Sequence, residues 1–151
     1  MKSDFTVFFF SFFTLTAAAA LEDLLPRFCG VVPPLVMASS IIFSSRKFFS
    51  WSVTLLFAAA AGAIEDSLCA FPPATSASFF VLASFVVRRL RLSMTLATLA
   101  FPLYIVWLWM WALVPSSVGL IGFFVFSILG FVTNFALEKI IGFAAKKAGV
   151  T

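Results

Sequence analysis

Apolar residues run in long blocks along this chain, separated by short stretches of charge, proline and small polar residues. Six blocks stand out, at roughly residues 5–25, 28–43, 49–64, 76–87, 95–114 and 118–137. A helix needs about 20 mostly apolar residues to cross a bilayer. The pattern therefore predicts an all-α integral membrane protein, a compact bundle of about six transmembrane helices forming one domain over residues 1–151. The fourth block is short, and reaches spanning length only if it starts near Pro73 and lets Arg88 and Arg89 snorkel to the interface. The breaks have a chemical cause. Pro26, Pro33-Pro34, Pro72-Pro73 and Pro115 each remove a backbone donor and turn the preceding residue away from helix. Pro102, early in the fifth block, fits a first helical turn or a kink.

Composition narrows the class. The chain is 63% hydrophobic and 11% charged, with 22 Phe among 151 residues and a mean hydropathy of +1.16. Soluble domains carry roughly a quarter charged residues, so little of the chain remains for a soluble domain. It has no His, which removes His-dependent triads and imidazole ligands, and two Cys are too few for a thiolate zinc site. No G-x-x-x-x-G-K-[ST] loop is present. The expectation is a protein without enzymatic activity, metal or cofactor.

The net charge of +4 has meaning only through its placement. With the N-terminus in the cytoplasm and six spans, Lys2, Arg46, Lys47, Arg88, Arg89, Arg91, Lys139, Lys146 and Lys147 fall inside and Arg27 alone falls outside. That bias predicts two cytoplasmic termini in a multi-pass protein, and it reads the basic residues as topology signals rather than as a nucleic-acid surface. Trp51, Trp109 and Trp111 suit the interfacial belts, with Trp107 deeper. A rival reading makes Lys2, the following apolar stretch and the small residues Ala17–Ala20 a cleaved secretory signal, leaving five spans. There is also a faint internal echo: four Ala before Leu21-Glu22-Asp23, and four Ala shortly before Ile64-Glu65-Asp66.

Residues 58–74 carry the most information. Ala58, Gly62 and Asp66 are spaced by four and form one stripe on the third helix, small residues leading to a carboxylate. Small residues let helix backbones approach closely in a bilayer, so the stripe reads as a face for docking another helix. The plainer reading is that Glu65 and Asp66 mark where the helix reaches water. Pro72 and Pro73 then form a tight turn into the fourth helix.

The run Gly62-Ala-Ile-Glu-Asp66-Ser-Leu-Cys-Ala-Phe-Pro72-Pro73-Ala74 resembles the central segment of the rod shape-determining protein MreD family. It is entered from Arg46-Lys47 and followed by an apolar helix ending Arg88-Arg89-Leu-Arg91. Leu24-Leu25-Pro26 and Pro34-Leu35 also fit the family's way of ending its first helix and opening its second. The resemblance covers about residues 21–91. Cys69 stands where the family often has Ser, and Ala74 where it usually has Gly. Ala is a poor substitute where a turn needs positive φ, so a different turn geometry is expected here.

The resemblance implies a non-enzymatic scaffold of the bacterial cell-elongation complex in the inner membrane, involved in cell shape and peptidoglycan synthesis. Its implied partners are an MreC-like single-span protein, the MreB cytoskeleton and peptidoglycan synthases. A compatible mechanism is a helical platform whose stripe receives a partner's transmembrane helix. The cytoplasmic rim of Arg46, Lys47, Arg88, Arg89 and Arg91 would then face anionic membrane lipids or an acidic partner, or would only enforce orientation. The alternative function is a small-solute-binding subunit of an energy-coupling-factor importer. The Ala-x-x-x-Ala face typical of that group's first helix is missing, because Ala17 is followed four later by Leu21 and Ala18 by Glu22.

Two weaker features complete the reading. Asn134 and Glu138, four apart, can hydrogen-bond across a helix interface or mark the interfacial end of the sixth helix. Cys29 and Cys69 both fall on the outer side, where a disulfide is conceivable in an oxidising compartment, though buried thiols are the simpler expectation.

Overall fold

The structure, a computed structural model, describes residues 4–25, 32–46, 50–111, 113 and 119–147. All secondary structure among them is helical: α1 (Asp4–Leu24), α2 (Leu35–Ser45), α3 (Trp51–Leu68), α4 (Thr75–Arg89), the four-residue α5 (Met94–Ala97), α6 (Ala100–Met110) and α7 (Gly119–Lys147). Arg27, Cys29, Lys47 and Pro115 lie outside the described residues.

The helix bounds differ from those of the six predicted blocks. Two helices, α1 and α7, are long and apolar enough to cross a membrane by length and composition. At about 1.5 Å per residue, the 29 residues of α7 reach about 43 Å and the 11 residues of α2 only about 16 Å. The second block shrank because Pro34 takes the N-cap position, so α2 starts at Leu35 and not near residue 28. The sixth grew because nothing after Glu138 breaks the helix, and Glu138 therefore lies well inside α7. The fifth block is divided: α5 ends at Ala97, Thr98 and Leu99 form a turn, and Pro102 sits in the first turn of α6, where its missing N–H has no helical partner to lose.

The short α2 lies at the centre. It packs on α1, α3, α4, α5 and α7, and every residue from Val36 to Ser44 is buried. Its small polar residues make this possible. Ser39 and Ser44 return their hydroxyls to the Leu35 and Ser40 carbonyls, both at 2.8 Å, while Ser40 meets Ser84 of α4 at 3.4 Å. Buried hydroxyls are thus satisfied without bulk, which lets neighbouring helices close in. The rest of the core is apolar and aromatic. Tyr104 of α6 sits among Phe79, Phe80 and Phe126, with ring centroids 5.1, 5.5 and 6.0 Å away.

The outward faces are apolar too. Phe8, Phe9, Phe12 and Phe13 of α1 and Leu120, Ile121, Phe124, Ile128 and Phe135 of α7 are all more than half exposed. α7 buries the opposite stripe, Phe126, Gly130, Asn134, Ile141 and Ala145, at spacings of four and seven.

Candidate functional site

The candidate site is the end of the bundle where α1 and α3 finish and α2 and α4 begin. Each returning helix starts after a proline pair with no side-chain cap of its own: Pro34 precedes α2, and Ala74 precedes α4. The first N–H groups of a helix need acceptors when buried. In both cases the preceding helix supplies one. Glu22 of α1 accepts the Val36 N–H at 2.8 Å, and Asp66 of α3 accepts the Ser76 N–H at 2.6 Å. Each acceptor serves the second residue of its returning helix, and a carboxylate there also meets the positive end of the helix dipole.

This gives the echo in the sequence a physical content. Two helical hairpins, α1–α2 and α3–α4, are each closed by a carboxylate near the end of the outgoing helix. They differ in which acidic position caps, Glu22 in the first and Asp66 in the second. Glu65, the counterpart of Glu22, turns toward the first hairpin, where its carboxyl group interacts with that of Glu22. Glu65 also receives the Cys69 thiol, Sγ to Oε1 at 3.6 Å.

Glu22, Glu65 and Asp66 are each about 5% exposed. That overturns the plainer expectation that Glu65 and Asp66 sit where a helix meets water, and it extends to Glu22. Glu65 Oε2 and Asp66 Oδ2 are buried without a hydrogen-bond partner. α6 completes the cluster, with Tyr104 Oη 2.6 Å from Ser76 Oγ and Trp107 Nε1 donating to the Thr75 carbonyl at 3.0 Å. Ser76, Tyr104 and Trp107 were not among the site residues expected from the sequence. One signal was available: Tyr104 is the single Tyr of the chain, and a buried Tyr hydroxyl requires a partner.

The docking stripe is real, and its occupant is internal. Ala58, Gly62 and Asp66 are buried, and a Cβ built on Gly62 would lie 2.3 Å from the Ala77 Cα and 2.5 Å from its N. The N-terminal turn of α4 already fills the place that the sequence reading gave to a partner's helix. Among the described helices α3 and α4 make the most extensive pair.

The turn between them corrects a second expectation. Ala70 has φ 53° and Ala74 has φ 69°, so position 74 does need the left-handed conformation and Ala adopts it. The Phe71 N–H returns to the Asp66 carbonyl at 2.9 Å, the long-range bond of a Schellman ending with Ala70 at the usual glycine position. Pro72 and Pro73 are exposed in this turn. Cys69 is exposed, not buried.

At the other end, the predicted basic rim separates into parts. Arg46 pairs with Glu138 of α7 at 3.2 Å, so Glu138 does bond across a helix interface. Asn134, one turn earlier, is buried with its Oδ1 unpartnered. Arg88 donates to Thr54 Oγ1 and to the Ser50 carbonyl at 3.3 Å, and stacks 5.1 Å over Trp51. Arg89 and Arg91 are exposed.

No group of three or more His, Cys, Asp or Glu able to hold a metal ion occurs among the described residues. The fold and the site define an all-helical protein with two membrane-length helices and acid-capped helical hairpins. Comparison with family models, with curated proteins and with solved structures finds no match to this chain.

Proposed function

We propose that this chain is a multi-pass membrane scaffold of the bacterial cell-elongation complex, working by binding other proteins rather than by catalysis. The observation that carries the reading is the α3–α4 hairpin. Gly62 and Asp66, through which the sequence resembles the MreD family, and Ala74, where it departs from the family's usual glycine, perform three linked tasks. Gly62 admits the α4 backbone, Asp66 caps α4, and Ala74 takes the left-handed turn that a glycine would suit. The motif then acts as a device for building a rigid hairpin.

The apolar exterior supports the membrane part of this reading. Soluble monomers rarely expose contiguous apolar patches beyond a few hundred Å², whereas α1 and α7 expose large apolar side chains along their lengths. A partner's transmembrane helix then has the α1 and α7 faces to bind, since the α3 stripe is filled from within. The second reading, a small-solute-binding subunit, draws on the buried polar cluster of Glu22, Glu65, Asp66 and Tyr104. Glu22 and Asp66 already serve as caps there, which leaves fewer groups for a solute.

Depletion in the source bacterium together with detergent co-purification tests the proposal. Cells should widen or round, and a single-span MreC-like protein should be retained by the tagged chain. Unchanged cell width with no retained partner would contradict it.

A further inference from the structure

The basic end of the bundle contains a groove of about 550 Å³ lined by Trp51, Phe85, Arg88, Arg89 and Arg91. Three guanidinium groups thus meet two aromatic rings at the junction of α3 and α4. Its floor is fixed. Trp51 and Phe85 pack edge to face with centroids 5.5 Å apart, and Arg88 is held over Trp51 by its bonds to α3. Its rim is uncompensated: among the described residues no carboxylate pairs with Arg89 or Arg91, and the one ion pair at this end belongs to Arg46 and Glu138.

Two further observations bear on the ligand. α4 ends in a Schellman turn, with the Leu92 N–H returning to the Val87 carbonyl at 3.0 Å, and the residue at the glycine position is Arg91, at φ 51°. An arginine held in the left-handed region where glycine costs less points to a use for its side chain. The neighbouring face of the same helix carries a second groove, apolar and about 280 Å³, lined by Leu82, Val86, Leu92, Leu96 and Leu103 among others. At 100° per residue, Leu82 and Val86 lie beside the face of Phe85 and Arg89. Phosphate-matching cations therefore border a hydrocarbon-lined slot on one helix end.

The geometry points to a binding site for an anionic phospholipid, its phosphate headgroup held by Arg88, Arg89 and Arg91 and its acyl chain in the slot between α4 and α6. Guanidinium forks suit phosphate oxygens, and the aromatic floor suits the headgroup level of a bilayer. A free phosphate shares the first half of this chemistry and has no use for the slot. The inference rests on the membrane reading given above.

Native mass spectrometry of the full chain in detergent, titrated with phosphatidylglycerol, phosphatidylcholine and inorganic phosphate, tests it. Phosphatidylglycerol should bind several-fold more than phosphatidylcholine and should not be displaced by phosphate. Arg89→Ala and Arg91→Ala should each lower binding roughly fivefold, the equivalent of ~1 kcal/mol per basic residue. Arg91→Gly should lower it as much while leaving helicity unchanged and thermal stability equal or higher, which separates lost binding from unfolding. Equal binding of the two lipids, displacement by inorganic phosphate, or loss of binding only where helicity falls overturns the proposal. An acidic cytoplasmic protein that binds through Arg89 and Arg91 in the absence of lipid preference overturns it as well. Vesicle flotation runs beside it: a chain that floats but shows no lipid preference removes this proposal alone, and a chain that does not float removes the membrane reading with it.

Discussion

The two ends of the bundle treat charge in opposite ways. Where α1 and α3 finish, the carboxylates of Glu22 and Asp66 are buried and committed to the first turns of α2 and α4. Where α4 finishes, Arg89 and Arg91 stand exposed beside an aromatic floor. A buried charge is tolerated only with strong partners, so the acidic end is a structural joint whose residues act on the fold. An exposed charge adds little to stability, so the basic end is free to act on something outside the chain. Both ends were legible as charge clusters, and burial is what separates them.

The contrast makes ranked predictions. Gly62→Leu should have the largest effect. Its new side chain meets the Ala77 backbone, which cannot give way, so ~3 kcal/mol or more of stability should be lost with separation of α3 from α4. Thermal unfolding in detergent measures this, and a variant as stable as the wild type would show that α4 does not occupy the stripe. Glu22→Ala should come next, at about 1–3 kcal/mol, because the Val36 N–H is left buried without its acceptor. Glu22→Gln should recover most of that loss, because it keeps an acceptor for the Val36 N–H.

The basic end should respond weakly by the same measurement. Arg46→Ala breaks a partly exposed ion pair with Glu138 and should cost less than ~1 kcal/mol, with raised salt reducing the difference further. Arg91→Gly should change the sign, stabilising by about 0.5–1 kcal/mol as the left-handed strain at the end of α4 is relieved. A large loss from either substitution would place structural weight at the end assigned to binding.

How much could be read from the chain varied with the physics involved. The hydropathy blocks located the helices because apolar continuity is local, and the proline pairs marked the turns because a missing N–H acts at its own position. The stripe Ala58, Gly62 and Asp66 was visible as a close-packing face for the same reason. Its occupant was not, since spacing on one helix says nothing about which neighbour arrives. α2 gave the least away: an 11-residue helix with four serines is short for a span, yet it is the helix that the others surround. Burial of Glu22 and Glu65 was equally hidden, because a carboxylate near a helix end has the same sequence whether it faces water or another helix's N-terminus. Ala74 was misjudged through its intrinsic preference, which the hairpin's packing and the Asp66 cap on Ser76 override.

Asp66 acts inside the chain as the cap of α4. Measuring stability and partner retention side by side for Asp66→Ala and Asp66→Asn tests it most directly. Asp66→Ala should lose about 1–3 kcal/mol, Asp66→Asn should stay near wild-type stability because it keeps an acceptor for the Ser76 N–H, and partner retention should fall only as far as the fold does. Two variants as stable as the wild type, with partner retention abolished in both, would contradict it and return Asp66 to the surface as a contact residue.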